Sequence, residues 1–257
     1  MNDIKIVGIS LIRNENLHIE LTLRNILHFC DEIFVYDNMS CDNTFEIVQE
    51  MANKNDKIKL STVKDANKTH KLVEKYTSTP TWLFGVDGDE IYDPKGLEKL
   101  RVKILNGDYQ QYWRIRGYFF HCVDVNWEAK TAKGYLAPPA SESNKLYNFS
   151  ALKSWSSGGE RFTGKNRVFN DGFTEDSKYL LYNDYSWEDA CLRNLHLCFL
   201  KRSTAENFNF RFAPKEVATY KAKDLNVRSY IPKKVKKYKK GDLVTKEINS
   251  FILDREK

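Results

Sequence analysis

In Trp82-Leu83-Phe84-Gly85-Val86-Asp87-Gly88-Asp89-Glu90, an apolar run ends in three carboxylates around one glycine. A short apolar run bounded by turn signals predicts a buried strand, so the carboxylates fall at its carboxyl end. Carboxylate oxygens suit Mg²⁺ or Mn²⁺, which proteins bind through one or two carboxylates together with phosphate oxygens. Ligands of open α/β sheets bind beyond the carboxyl ends of the strands. The stretch therefore favours a metal–diphosphate site, although an ordinary acidic turn before Pro94 has the same composition.

Strands and helices are predicted to alternate upstream of this stretch. Four runs rich in β-forming residues are predicted strands: 4–12, 32–36, 57–63 and 81–86. Three helices are predicted between these strands. The first follows Asn14-Glu15, where apolar residues recur at helical spacing, and the second follows an N-cap at Asp42 or Asn43. The third is predicted over 68–76. This alternation implies βαβ units, a parallel sheet and right-handed crossovers.

The pattern changes after Pro94. Residues 96–105 are predicted to be helical and 109–120 to form a strand. Residues 121–186 are rich in aromatic residues, Ser, Asn and Gly and give no firm assignment. Residues 187–201 are predicted to form a helix, or a helix followed by a strand.

Composition limits the class of protein. A chain of 257 residues with 41% apolar residues can bury a full core. It contains no stretch near the roughly 18–20 apolar residues that span a bilayer, and its first residues lack a signal-peptide pattern. Five cysteines without a CxxC pair predict reduced thiols and argue against a zinc cluster. We expect a cytoplasmic protein, soluble or peripheral at an anionic surface.

Positive charge is concentrated late in the chain. Residues 201–240 hold 13 Lys or Arg and 3 Asp or Glu, whereas the whole chain has a net charge of only +6. The lysines of Lys233–Lys240 form the densest part of this tract. A local basic tract predicts contact with a polyanion such as nucleic acid, an anionic membrane or nucleotide phosphates, or else a solvated face.

Three polar motifs fall at the carboxyl ends of predicted parallel strands. They are Asn14-Glu15 after the first strand, Asp37-Asn38-Met39-Ser40-Cys41-Asp42-Asn43-Thr44 after the second, and Asp87-Gly88-Asp89 after the fourth. Over about residues 4–95 this order resembles the family-2 glycosyltransferases of the GT-A fold, with their Asn-Glu strand end, D-[DN]-x-S-x-D-x-T turn and DxD motif. The resemblance implies a Rossmann-like, mostly parallel twisted sheet flanked by helices.

The resemblance also implies roles for individual residues. Asp37 would contact the base or ribose of a nucleotide-sugar, and the backbone around Ser10 and Arg13 would line the base pocket. Asp87 would lie near the ribose and contribute to the metal site. Asp89 would bind the divalent metal, Mn²⁺ or Mg²⁺, that neutralises the diphosphate as the sugar–phosphate bond breaks.

Two positions in this half are ambiguous. Asn38 stands where the family often has a second Asp, so the identity of the recognised base stays open. Lys71 could pair with the nucleotide or be a solvated lysine. We take a UDP-sugar as the preferred donor and predict a nucleotide-sugar-binding half at 1–95, an acceptor half at 96–200 and a basic C-terminal segment at 201–257.

The acceptor half is expected to supply a catalytic base. Trp187-Glu188-Asp189-Ala190-Cys191-Leu192-Arg193 resembles the E-D-x-x-L-x-x-R segment of the same superfamily, in which a carboxylate deprotonates the acceptor hydroxyl. Asp189 is the first candidate and Glu188 the second, although both could simply favour the first turn of a helix. Glu160, after Gly158-Gly159, is the third. His196 resembles the C-terminal histidine that completes metal coordination in many GT-A enzymes, but it could be a core histidine.

We therefore predict a metal-dependent glycosyltransferase that moves a hexosyl or pentosyl unit to an acceptor hydroxyl with inversion. The acceptor is a surface saccharide or a hydroxymethylated base in DNA. The aromatic and basic residues at 109–119 would suit a sugar or an unstacked base, or else pack in the core. The alternative function is a non-catalytic nucleic-acid-binding protein on an α/β scaffold.

Overall fold

The computed structural model describes residues 4–138, 145–156, 166–205 and 242–253. Three α-helices lie within these ranges: α1 (Ile19–Ile26), α2 (Thr44–Lys54) and α3 (Pro94–Leu105). The described strands are β1 (Lys5–Ile12), β2 (Glu32–Asp37), β3 (Ile58–Thr62), β4 (Thr81–Gly85), β5 (Glu90–Tyr92), β6 (Arg114–Arg116), β7 (Tyr118–Asn126), β8 (Thr131–Ala137), β9 (Lys145–Asn148), β10 (Leu152–Ser156), β11 (Asn166–Phe169), β12 (Lys178–Leu180), β13 (Arg193–His196) and β14 (Leu243–Glu247).

A seven-stranded sheet forms the centre of the protein, in the order β12-β6-β9-β4-β1-β2-β3. Strand β1 is parallel to both β2 and β4, and β2 is parallel to β3. Strand β9 is antiparallel to β4 and β6. The predicted parallel sheet of the first half is thus confirmed. Its strand tips after β1, β2 and β4 lie at one edge, as parallel pairing requires.

The central strands are buried because helices cover one face of this sheet. The apolar sides of α1, α2 and α3 pack with β1, β2 and β4 in one core, and Leu23, Ile26 and Leu100 are fully inaccessible there. Helix α3 begins at Asp93, whose carboxylate accepts the backbone N–H groups of Lys95 and Gly96. This N-cap anchors the helix two residues after β5.

A second sheet of five strands continues from the acidic stretch, in the order β14-β8-β7-β13-β5. Strand β13 is antiparallel to β5 and parallel to β7. Strand β14 pairs with β8, and the following residues Ile248 and Phe251 are buried against Trp187. Residues 242–253 therefore belong to this sheet, and the predicted C-terminal segment at 201–257 is not separate from the fold over that range.

Three predicted elements differ from the structure. The helix predicted at 68–76 is two short 3₁₀ turns, Ala66–Leu72 and Glu74–Tyr76. The strand predicted at 109–120 begins at Arg114 and is interrupted at Gly117, where a Cβ would lie 1.8 Å from the carbonyl oxygen of Leu192. The backbone of one sheet passes so close to the other at this point that only glycine fits.

The helix predicted at the start of 187–201 is wrong, whereas the strand that was predicted to follow it is present. A turn over 187–189 leads into strand β13, which is hydrogen-bonded on both sides. Leu192, Leu195 and Leu197, within and beside this strand, are fully buried. Buried leucines at a spacing of two and three residues occur in both a buried helix and a buried strand, so periodicity does not separate the two.

No helix in the described part of the chain combines the length and the apolar character that crossing a bilayer requires.

Candidate active site

A cleft of about 160 Å³ lies at the tips of β1, β2 and β4. Its walls come from all three polar motifs and from one residue late in the chain. The lining residues are Leu11, Ile12, Arg13, Glu15, Asn38, Asp87, Gly88 and Arg202. The predicted convergence of the strand ends is therefore present in the structure.

Two loops interlock behind this cleft. The backbone N–H of Asn14 donates to Ser40 Oγ at 2.9 Å, and the Asn14 side chain accepts the N–H of Cys41 at 2.8 Å. Asn14 has a φ of 55°, the left-handed conformation that asparagine tolerates better than most residues. The loop after β1 is thus fixed against the loop after β2.

The carboxylate of Asp37 is buried at the end of β2. It accepts the backbone N–H of Ser40 at 3.0 Å and the Ser40 hydroxyl. Asp42 accepts the backbone N–H of Thr44 at the start of α2, while Thr44 Oγ1 accepts the N–H of Glu15. The N-cap of α2 is therefore Asn43, the second of the two predicted residues, which makes no side-chain cap hydrogen bond, and Asp42 binds the first helical N–H from one residue earlier.

The turn after β4 is packed tightly against the turn after β1. A Cβ at Gly88 would lie 2.7 Å from Cγ of Glu15, so only glycine leaves room for that side chain. Thr22 Oγ1, on α1, donates to the carbonyl of Gly88 at 2.9 Å. Glu15 in turn pairs with Arg202, whose Nη1 lies 2.9 Å from its Oε1.

A buried lysine neutralises part of the acidic turn. Lys145 Nζ, on β9, lies 2.7 Å from Asp87 Oδ1 and 3.3 Å from Glu90 Oε1. Tyr92 donates its hydroxyl hydrogen to Glu90 Oε2 at 3.2 Å. Strand pairing places Lys145 opposite Gly85, two residues before Asp87. One cation therefore faces two of the three carboxylates, and Asp89 lies on the other side of the turn.

Asp89 is buried beside a histidine pair. Its Oδ1 lies 3.8 Å from Nε2 of His196, and its carbonyl oxygen accepts the N–H of Leu197 at 2.8 Å. Nδ1 of His196 lies 3.0 Å from Nδ1 of His121, its neighbour across the β7–β13 pair. Burial lowers the pKa of His121 well below its ordinary value, and the adjacent His196 lowers it further, against the opposing charge of Asp89. His121 is therefore neutral at pH 7.

The residue types at this edge suit a divalent ion. Carboxylate oxygens such as those of Asp87 and Asp89 are the ligands that Mg²⁺ and Mn²⁺ prefer, and Mn²⁺ also accepts an imidazole nitrogen such as that of His196. The cleft beside them provides space for an anionic ligand. Arg13 and Arg202, at the same opening, supply positive charge for phosphate oxygens.

A comparison with protein families now adds to this geometry. The model of glycosyl transferase family 2 matches residues 9–177, which include the second half of β1, all of β4 and all three polar motifs. The chain belongs to glycosyl transferase family 2. The mixed α/β architecture is that of the GT-A fold, as the resemblance implied.

Two solved structures are similar to part of the chain. A mannosyltransferase from Pyrobaculum calidifontis, in complex with GDP-Man and Mn²⁺, is 20% identical over 48% of this chain and 36% of its own, with a TM-score of 0.33. A 4-diphosphocytidyl-2C-methyl-D-erythritol synthase from Anaerococcus prevotii is 16% identical over 47% of this chain and 56% of its own, with a TM-score of 0.31. The chain spans less than two thirds of either protein. No curated protein matches it.

The structure distributes the predicted nucleotide-binding residues unequally around the glycosyltransferase cleft. Arg13 and Asp87 line it, and Asp37 lies at the end of the adjoining β2. Ser10 is fully buried and donates its hydroxyl hydrogen to the carbonyl of Val86 at 2.7 Å, so its side chain joins β1 to β4. Lys71 is exposed on a 3₁₀ turn and is not part of the described cleft lining.

Two of the predicted base residues, Asp189 and Glu188, lie at the other end of β13 from His196. They precede this strand, whereas His196 ends it, and a strand of this length spans about 10 Å. Glu188 is exposed and pairs with Lys246 at 2.6 Å, and this hydrogen bond lowers its pKa. Asp189 is also exposed and accepts the hydroxyl hydrogen of Ser186. Their role as catalytic base stays a prediction.

Arg193 follows Leu192 directly, whereas the arginine of the E-D-x-x-L-x-x-R segment is three residues after its leucine, so this chain departs from the motif at that position. The guanidinium of Arg193 donates twice to Asp93 Oδ2, at 2.7 and 2.9 Å, and also to the carbonyl of Trp187. Arg193 therefore joins the second sheet to the start of α3. Glu160 and Lys233–Lys240 lie outside the described residues, so their roles stay predictions.

Sequence reasoning missed four residues of this site. Lys145 is 55 residues from Glu90, and Arg202 is 187 residues from Glu15, so only the fold reveals these ion pairs. Glu15 was part of a motif but had no role assigned to its side chain. His121 lies in an apolar stretch, where the sequence alone indicates an ordinary core histidine. Only the pairing of β7 with β13 shows that it lies opposite His196.

Proposed function

We propose that this glycosyltransferase transfers a sugar from a nucleotide-sugar donor in a reaction that depends on a divalent metal. The observation that carries the proposal is the position of the acidic turn after β4, whose Asp87 and Gly88 line the cleft at the tips of β1 and β2 and are followed directly by Asp89. The diphosphate of the donor would lie at this edge, and the nucleoside would extend towards Arg13 and Asp37. A UDP-sugar is our preferred donor.

The chain's own side chains support several parts of this reaction. Asp89 and Asp87 would hold Mn²⁺ or Mg²⁺, and His196 would be the third side chain through its Nε2. When bound, the ion neutralises the charge that develops on the nucleoside diphosphate as it leaves. Arg13 and Arg202 would contact phosphate oxygens from the opposite wall, and Lys145 keeps Asp87 oriented.

We propose a saccharide hydroxyl as the acceptor and transfer with inversion. The aromatic residues that could have stacked an unpaired base are mostly in the core: Trp113 and Phe119 are 1% exposed, and Tyr109 and Tyr118 are also buried. This burial removes the feature that most favoured hydroxymethylated DNA. Among the three predicted bases, Glu160 remains the candidate for deprotonating the acceptor, since Asp189 and Glu188 lie beside Lys246 and α3.

The test compares donor turnover in two aspartate variants. We expect Asp89→Asn to lower Mn²⁺-stimulated release of nucleoside diphosphate from the preferred donor by about 100-fold or more, since preorganised charge stabilisation has this magnitude. Asp189→Asn is the matched control and should stay within about 3-fold of the parent enzyme. Full turnover by Asp89→Asn would refute the metal role, and a large loss in Asp189→Asn would restore that residue as the base.

The acceptor is tested with the donor that gives the highest turnover. Oligosaccharides form one arm of the assay and hydroxymethylated DNA the other. Transfer to the saccharide arm alone is the expected result. Transfer to DNA that weakens steeply with salt would instead support the polyanion role of Lys233–Lys240.

A further inference from the structure

A second cluster of potential metal ligands lies behind Asp89. His121, His196 and Cys198 each offer a donor atom, and these atoms all lie within 4.8 Å of one another. All three side chains are buried, with exposed fractions of 6%, 6% and 3%. Two imidazoles and a thiol form a soft donor set, unlike the carboxylates of the acidic turn.

The fold fixes these three residues in place. His121 and His196 are direct neighbours in the parallel β7–β13 pair. Cys198 lies two residues after the end of β13, at the start of a turn, and its sulfur belongs to the same group of donor atoms. The ring of Phe119 contacts the ring of His196 edge to face, with 5.6 Å between centroids. A donor cluster on a rigid sheet needs little rearrangement to bind an ion.

The distances agree with a tetrahedral site. A zinc ion with Zn–N bonds of about 2.0–2.1 Å separates two nitrogen ligands by about 3.3 Å. Nδ1 of His121 and Nδ1 of His196 are 3.0 Å apart. Three protein ligands with the fourth position left to water is an established arrangement for zinc.

We propose that His121, His196 and Cys198 bind a transition-metal ion of the Zn²⁺ or Co²⁺ class, separate from the ion of the diphosphate site. The thiol of Cys198 loses its proton to solvent on binding, as metal thiolates require. Nε2 of His196 then carries hydrogen and faces Asp89 Oδ1 across 3.8 Å. A carboxylate behind a metal-bound histidine is the usual outer partner of such a ligand.

The two metal sites therefore meet at one imidazole. With the nitrogen–sulfur site filled, the protonated Nε2 of His196 faces the carboxylate of Asp89 and no longer offers a lone pair to the diphosphate ion. Asp87 and Asp89 are then the protein ligands of that ion. The nitrogen–sulfur site does not rest on the proposed function, because two of its three ligands, His121 and Cys198, have no part in that reaction and only His196 is shared.

Co²⁺ is the probe for this site. The metal-free full chain, with thiols reduced and air excluded, is titrated with Co²⁺ and followed by absorption. We expect a sulfur-to-cobalt charge-transfer band that saturates at one equivalent. Cys198→Ser should abolish the band, and His121→Gln should weaken Co²⁺ affinity about 100-fold, since even an outer partner of a metal site is worth 10–100-fold.

Matched controls lie on the surface. Cys41→Ser and His28→Gln remove an exposed thiol and an exposed imidazole and should leave the titration unchanged. Asp89→Asn should keep the charge-transfer band while losing metal-stimulated donor turnover, which separates this proposal from the proposed function. Absence of the band in the parent chain, or its persistence in Cys198→Ser, would overturn the proposal.

A measurement on the parent chain alone covers the case in which the variants fail to fold. X-ray absorption of the zinc-loaded protein should show one sulfur ligand at about 2.3 Å and two imidazole nitrogens at about 2.0–2.1 Å. A first shell made of oxygen and nitrogen alone would contradict the site.

Discussion

At the scale of single residues, Lys145 is the group on which the acidic turn most depends. Its Nζ contacts Asp87 and Glu90, and its side chain is nearly inaccessible. Removing one partner of a buried ion pair leaves the other charge buried without compensation. Lys145 therefore compensates the negative charge of Asp87 and Glu90 within the fold.

Replacing this lysine gives the first stability prediction. Lys145→Met should lower the free energy of unfolding by about 3–5 kcal/mol, as measured by urea denaturation. Lys153→Met removes an exposed lysine from β10 and should change it by less than about 0.5 kcal/mol. Equal stabilities for the two variants would show that Lys145 is not needed to compensate the carboxylates.

The residue scale also shows what the sequence can predict. Asp87, Asp89 and Asp37 were placed at strand tips from local pattern alone, because a turn after an apolar strand is a local feature. Lys145 and His121 were not found, because their partners are 55 and 75 residues away and nothing in a single sequence specifies strand register.

At the scale of elements, Arg101 fastens α3 to the loop before β2. Its Nη1 donates to the carbonyl of Phe29 at 2.7 Å, and its Nη2 pairs with Asp31. Burial raises the pKa of Asp31, but the Arg101 and Ile6 hydrogen bonds and the charges of Arg101 and Lys57 outweigh burial and leave it below the ordinary 3.8. This carboxylate therefore stabilises the fold above its unfolded pKa, and the contribution disappears as pH falls through the lowered value.

The predicted consequence is a pH-dependent effect of Arg101→Met. Its melting temperature should fall below that of the parent chain at pH 7, and the gap should shrink at pH 3 and below as Asp31 becomes protonated. The difference in melting temperature should not vanish, because the hydrogen bond from Arg101 to the carbonyl of Phe29 does not depend on pH. Lys99→Met, an exposed control on the same helix, should show no such trend in a thermal melt. A gap that widens towards low pH would contradict the sign.

The last described segment is an element of the second sheet. Phe251 is 1% exposed and stacks on Trp187, with 5.8 Å between ring centroids. Phe251→Ala should lower the free energy of unfolding by about 3–5 kcal/mol, because the cavity left by a buried aromatic ring has this cost. Leu243→Ala, at a position 42% exposed on β14, should lower the free energy of unfolding far less. Both values are measured by scanning calorimetry. Similar losses would show that the segment does not pack as described.

The helical part of the prediction over 187–201 failed at this same scale for a physical reason. Periodicity identifies an element that has one solvent-exposed face, and the residues of β13 are mostly buried on both faces. The first four strands were predicted correctly because each is followed by a polar turn and an amphipathic segment.

At the scale of the whole molecule, the parallel half and the second sheet share the acidic turn. Strand β4 ends at Gly85, β5 begins at Glu90, and the turn between them contains Asp87 and Asp89. One side of this turn faces the cleft and the other faces the His121–His196 pair. The family and the fold class followed from the sequence, but this junction of two sheets did not, because it depends on pairings made by strands late in the chain.

Calorimetric titration of nucleoside diphosphates, with and without Mn²⁺, tests the central claim most directly. The account predicts that Mn²⁺ tightens binding to the parent chain, and that Asp89→Asn loses this enhancement by about 100-fold while Asp189→Asn retains it. Both variants should keep the far-ultraviolet circular dichroism of the parent. Undiminished Mn²⁺-dependent binding by Asp89→Asn would contradict a metal–diphosphate site at the tip of β4.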